Sequence, residues 1–450
     1  MRFTYFLWLL VATLNLLLWT SCLGSSNDRV IDYSPNAQIY AFSLTSRADT
    51  ARLLNATAFS IDQVSGRLFN KEPLPYLFHV DSVMLNVSSS STYTPFQQIT
   101  ITLTGTHGDS TYLWNKTDSV AINRLKTITT TAQDGVTTKS YAFQLNIYQQ
   151  DPYLLSWERK TDYLSYRPTG QKSIAFNGRF ITYYKTESGV GATASTDGST
   201  WSELKEFQGL PTSVRLSTLI AVKSSMYILD EEGRVYASTD GISWNKVNTG
   251  CTVKTLYGIL PGVTVKCILI AVEESGTLRF AVTDDFSEIE LLNQTPDKMP
   301  WSDFTSTNIE SEHSYATRYI VLTDGIRQDG SWNDEVWIVQ KKDDKITYIS
   351  IKPPFPVKGN LFYYDNRLYL MTLSDGKNVF LFSSNYGLNW EATGESQAFP
   401  PQLEFTPRTN ASVAIDDSNN IWIFGGVSAH PPHPTLVDVW RGRLNKFSME

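Results

Sequence analysis

Arg167, Arg215 and Arg408 each stand a few residues before an alternating apolar run. If those runs are equivalent strands of a repeated fold, the three guanidiniums can gather on one rim, where planar N–H forks clamp a carboxylate. Arginines in such places more commonly pair with neighbouring carboxylates or carbonyls, and that structural role is the default for all three. His430 and His433 offer two imidazoles, but Pro431 and Pro432 between them forbid the helix that would put both rings on one face. No carboxylate or cysteine cluster accompanies them, so a solvated loop is expected, with no metal and no cofactor. Cys251 and Cys267 are close enough in sequence for a hairpin to bridge them by a disulfide. Cys267 also lies in an apolar strand where a buried free thiol is at home, and the two readings stay open. None of these sets supplies a nucleophile, a base and an orienting group, so no catalytic residues are assigned.

The elements that would position such residues are repeated. Ser195, Asp197, Gly198 and Trp201 return forty-three residues later as Ser238, Asp240, Gly241 and Trp244. In both copies an alternating apolar run meets a turn-forming Asp-Gly and then a large aromatic, which is the pattern of a β-hairpin. The aspartate can accept hydrogen bonds from loop amides, and the glycine supplies a backbone angle that other residues resist. The tryptophan packs back between adjacent sheets. Ser383, Asn385, Gly387 and Trp390 make a copy one residue longer, with Asn in place of Asp. A worn copy is expected where residues 280–287 align with 236–243, which sets Asp284 opposite Asp240 and Glu288 opposite Trp244.

The motif resembles the Asp-box of β-propellers. A further unit is expected between the worn copy and the third hairpin, from residues 319–325 and 334–339. Its layout recurs at the end of the chain, where Gly425 and Gly426 close one strand and Asp438 and Trp440 lie in the next. That pair resembles a kelch repeat. Together the units make about six blades of ~40–50 residues each, which suits a propeller. A strand at residues 154–158 has no blade of its own and is expected to close the ring by pairing with the last one. Sialidases also carry Asp-boxes on six blades and open with an Arg-Ile-Pro signature; here Tyr166, Arg167 and Pro168 lack the isoleucine.

Of the 450 residues, 18% are charged and 13% aromatic, a mix that favours an all-β protein. The net charge of −7 and the lack of any Lys/Arg run argue against nucleic acid as a partner. Arg2 precedes an apolar run over residues 3–19, and Ser21 and Cys22 follow. This reads as an export signal over 1–21, and it resembles a bacterial lipobox in which Cys22 is lipidated and 22–30 is a tether. The partner implied is a membrane, reached through the lipid. Over residues 31–152 apolar residues alternate with polar ones, as at Ile99, Ile101 and Leu103 or Tyr141, Phe143, Leu145 and Ile147, the pattern of a half-buried β-sandwich. This segment resembles cadherin-like or immunoglobulin-like domains.

The expected fold is therefore all-β, with an N-terminal β-sandwich followed by a six-bladed β-propeller over 153–450. Lipobox, sandwich and propeller together resemble a family of Bacteroidota lipoproteins with an N-terminal cadherin-like domain and a C-terminal kelch-type propeller. The resemblance implies a cell-envelope location, in or at the outer membrane, and no mechanism. The expected function is a non-enzymatic binding module for a glycan or protein. The alternatives are a sialidase-like carbohydrate-active enzyme and a structural subunit of an outer-membrane assembly.

Overall fold

Alternation of apolar and polar residues builds almost every element of the chain, and it does so in two separate compact units, Met1–Gln150 and Asp151–Glu450. The computed structural model describes residues 33–311, 317–399 and 404–448. The export signal and Cys22 lie outside these residues.

In the first unit, strands Ala41–Thr45, Ser82–Ser88 and Ser119–Ala121 form a three-stranded sheet. A six-stranded sheet runs in the order Phe59–Asp62, Arg67–Asn70, Thr138–Gln144, Leu125–Thr131, Gln98–Leu103 and Ser110–Leu113. Its pairings are antiparallel except between Arg67–Asn70 and Thr138–Gln144. Leu44, Val83 and Leu85 from the smaller sheet join Leu68, Ile101, Ile128 and Tyr141 from the larger in one hydrophobic cluster. The Tyr141 hydroxyl is buried there but satisfied, since it accepts from the Ile39 amide at 3.0 Å and donates to Gln63 at 2.6 Å.

Among the described residues, the second unit holds five four-stranded sheets, one five-stranded sheet and a two-stranded ribbon. Sheet 1 runs Gly170–Phe176, Arg179–Thr186, Gly189–Ser195 and Ser202–Glu203; sheet 2 begins at Val214–Val222 and sheet 3 at Val253–Ile259. Sheets 4 and 5 begin at Thr305–Ser311 and Asn360–Tyr364. Each is an antiparallel meander in sequence order, so every sheet is built from a contiguous piece of chain. Sheet 6 differs. Its strands Ser412–Ile415, Ile421–Ser428 and Thr435–Leu444 are joined by Leu155–Arg159, which pairs Leu155 with Leu444 and Arg159 with Trp440. The strand left without a partner in the sequence thus belongs to the last sheet.

The repeated hairpins form tight turns. Asp197 accepts from the amides of Ser199 and Thr200 at 2.8 and 2.7 Å, and Ser195 Oγ accepts from the Gly198 amide at 2.8 Å. Asp240 and Ser238 repeat these bonds with Ile242, Ser243 and Gly241. Asn385 Oδ1 takes the Asn389 amide and Ser383 Oγ the Gly387 amide. The loop amides hold the Asp197 carboxyl well below the usual carboxylate range. The worn copy forms one residue later than expected. There Thr283 Oγ1 accepts from the Phe286 amide and Asp285 from the Ser287 amide, so Asp285, and not Asp284, stands opposite Asp240. Phe286 occupies the glycine position at φ 67°, fully buried against Tyr227.

Gly198 combines φ 68° with a contact that leaves no room for a side chain, because an added Cβ would collide with the indole of Trp422 in sheet 6. Gly198→Ala is expected to cost about 1–3 kcal/mol, read as a lower urea midpoint at unchanged slope. An unchanged midpoint would mean the turn does not lock sheet 1 to its neighbour.

Candidate functional site

The opening strands of sheets 1 and 2, with strand ends of sheet 6 and the two-stranded ribbon, surround one cavity of about 600 Å³. Gly170 and Gln171 come from sheet 1, Arg215 and Ser217 from sheet 2, and Asn410, Gly426 and Thr435 from sheet 6 or its approach. The two-stranded ribbon, Pro300–Ser302 with Ile326–Arg327, adds Trp301 and, just past its strand, Asp303. Lys185 and Glu231 complete the charged lining.

Arg215 lines the cavity from the start of sheet 2. Its Nη2 donates to the Lys254 carbonyl at 2.8 Å, its Nε is buried without a partner, and its guanidinium lies 5.9 Å from the Trp301 ring. Burial pushes the guanidinium below its ordinary value, against the opposing pull of Asp303, Asp230 and Glu231. Trp301 is fixed from behind, as its Nε1 donates to the Arg327 carbonyl at 3.1 Å. Arg327 is itself tied to Asp334 at 2.5 Å and to the Lys298 and Trp332 carbonyls at 2.9 and 3.0 Å. Lys352 and Arg327 together hold the Asp334 carboxyl well below the usual carboxylate range. Asp303 takes φ 54°, a left-handed conformation that Asp and Asn tolerate better than most residues. Gly426, at φ 103°, lets the sheet-6 strand bend at the cavity wall, where an added Cβ would stand 2.7 Å from the Thr409 carbonyl oxygen. The result is a cavity with an aromatic ring, cationic donors and carboxylate acceptors, all carried on strand ends.

The three arginines of the sequence do not converge. Arg215 lines the cavity, while Arg408 is fully buried and grips Asp438 through two bonds of 2.7 Å. Its remaining donors reach the Gly425 and Thr406 carbonyls at 3.0 and 2.9 Å, and its guanidinium lies 4.2 Å from the Phe405 ring. Trp440 Nε1 bonds the same Asp438 at 2.7 Å. Arg408 is thus a structural clamp, the role expected of it by default, and the alternative rim-binding role does not apply to it. Arg167 is exposed and lines a separate recess of about 290 Å³ beside Arg159, Asp162 and Glu404. Gly425, at φ 50°, approaches the Leu436 carbonyl too closely for any side chain. Cys251 is exposed, Cys267 is buried, and both are free. His433 Nδ1 lies 3.0 Å from the Ser428 carbonyl in the loop that joins the sheet-6 strands.

Trp301, Asp303, Glu231, Lys185, Gln171 and Asn410 were not legible as a set in the sequence. A signal existed, since Arg215 opens one first strand and Trp301 stands just before another, so aligning blades by their first strands brings the two together.

Sheets made of consecutive meanders, with the last completed by a strand from the start of the unit, make this a β-propeller protein with a cavity of mixed polar and apolar lining at its strand ends. Residues 151–450 match the DUF6242 beta propeller domain and residues 36–145 the DUF6242 N-terminal domain of unknown function. The chain belongs to that family. Among solved structures it is similar to YjhT, at 10% identity and a TM-score of 0.38 over 62% of this chain and 95% of that one. A lectin of Aleuria aurantia in complex with alpha-methyl-L-fucoside matches at 11% identity and a TM-score of 0.38, over 60% and 90%. The polysaccharide lyase Uly1 matches at 7% identity and a TM-score of 0.37, over 83% and 89%. No curated protein matches the sequence.

Proposed function

We propose that this protein is a non-enzymatic glycan-recognition module, held in the cell envelope through a lipid on Cys22, with a sandwich domain preceding a six-bladed propeller in the chain. The observation that carries the reading is the Arg215–Trp301 pair in the cavity, with Asp303 and Glu231 as the carboxylates beside it. Sugar rings combine an apolar C–H face with edges of hydroxyls that both donate and accept. A ring at 5.9 Å from a guanidinium, with carboxylates in the same cavity, meets both needs. Carriage on strand ends supplies the rigidity that a binding constellation requires.

The same carboxylates beside an arginine favour one second reading, a carbohydrate-active enzyme. A glycan array and polysaccharide pull-down, with released reducing sugar measured in the same samples, separates the two. Binding without release is the expected result, and release would overturn it in favour of the enzyme. Absence of any binding would remove the glycan reading.

A further inference from the structure

We infer that the cavity selects an uncharged sugar residue over an acidic one, an inference that rests on reading the cavity as a glycan site. Arg215 and Lys185 bring two positive charges to the lining and Glu231 and Asp303 two negative ones, so the cavity has no net charge with which to draw an anion. An isolated arginine would favour a carboxylate through its two-nitrogen fork. That fork is partly spent here, because Nη2 already donates to the Lys254 carbonyl and Nε is buried. Among the described residues neither Nε nor Nη1 has a protein acceptor, but Nε is buried, which leaves Nη1 as the nitrogen with both N–H groups free, and hydroxyl oxygens can take these one at a time.

The acceptors point the same way. Asp303 makes no hydrogen bond or ion pair among the described residues, and it is exposed. An anion at Arg215 would share the cavity with the Asp303 and Glu231 carboxylates, which line it too and would repel it. Hydroxyls carry no such conflict, as each can accept from Arg215 or Lys185 and donate to Asp303 or Glu231. A neutral pyranose with adjacent hydroxyls uses every one of these groups, and its C–H face can rest on Trp301.

Calorimetric titration of the full chain with matched neutral-hexose and uronate oligosaccharides tests this, on the native protein and on Asp303→Asn. Asparagine keeps the side-chain shape, tolerates φ 54° and breaks no internal contact, so the fold is preserved. The expected result is at least about ten-fold tighter binding of the neutral series, little affected by salt, and about ten-fold weakening in Asp303→Asn. Tighter uronate binding, tightened further by Asp303→Asn as repulsion is removed, would overturn the inference and leave the glycan reading standing. Binding of neither series would remove both.

Discussion

Trp157→Ala is expected to lower the stability of the propeller unit by about 3 kcal/mol, seen as an earlier urea midpoint. Trp157 stands in the strand Leu155–Arg159, which comes before sheet 1 in the chain but completes sheet 6. Its indole is 8% exposed and stacks on Phe399 at 4.4 Å and Phe380 at 5.8 Å. It also lies over Gly442, its cross-strand partner, where an added Cβ would stand 2.6 Å from the ring. An aromatic covering a strand glycine in this way supplies the packing that the glycine lacks. Burial of so large a ring would place the loss at about 3–5 kcal/mol. The indole Nε1 is buried without an acceptor, a penalty of about 1–3 kcal/mol that truncation relieves, so the lower end is expected. Deleting residues 153–162 should cost more, since the five paired backbone positions go as well. An undiminished midpoint in both variants would show that this strand does not hold the two ends of the unit together.

Asp438→Asn should be of similar size, about 3–5 kcal/mol, for an electrostatic reason. Arg408 is wholly buried, and among the described residues Asp438 is the one carboxylate in its set of partners; the others are the carbonyls of Gly425 and Thr406 and the ring of Phe405. Asparagine keeps the shape but leaves a buried guanidinium without a counter-charge. Burial by itself raises the Asp438 carboxyl, but the bonds and charge of Arg408, with the Trp440 N–H, outweigh it and hold the group below its ordinary value. The folded value thus lies below the unfolded one. The contribution is fully present above the unfolded carboxylate range and is lost as pH falls through the folded value. Urea midpoints taken at neutral pH and in acid should therefore converge for Asp438→Asn and the native protein. Replacing both partners by well-packed apolar residues should cost much less than the single change. Equal losses from the single and double changes would refute the clamp.

Local motifs in this chain were legible because everything they need lies within a few residues. Ser195, Asp197 and Gly198 bond one another, so the turn can be read from its own letters. The register slipped at the worn copy because Thr283 replaces the serine and Phe286 takes the glycine position, which made Asp284 look equivalent to Asp240. The closing strand could be inferred as the alternating run with no sheet of its own. Arg408 and Asp438 were each visible, but their pairing was not, since they lie on different strands and meet only when sheet 6 forms. The cavity was hardest to see. Its walls come from both starts and ends of strands spread between Thr169 and Thr435, and residues that meet in space are recognisable in sequence only after every strand is placed.

A crystal structure of the chain with the tightest-binding oligosaccharide from the array tests the central claim most directly. The account predicts a sugar ring in the cavity against Trp301, with hydroxyls on Arg215 and Asp303. Sugar seated on an outer strand, in the recess beside Arg167 or on the N-terminal unit, with the cavity empty, would contradict it.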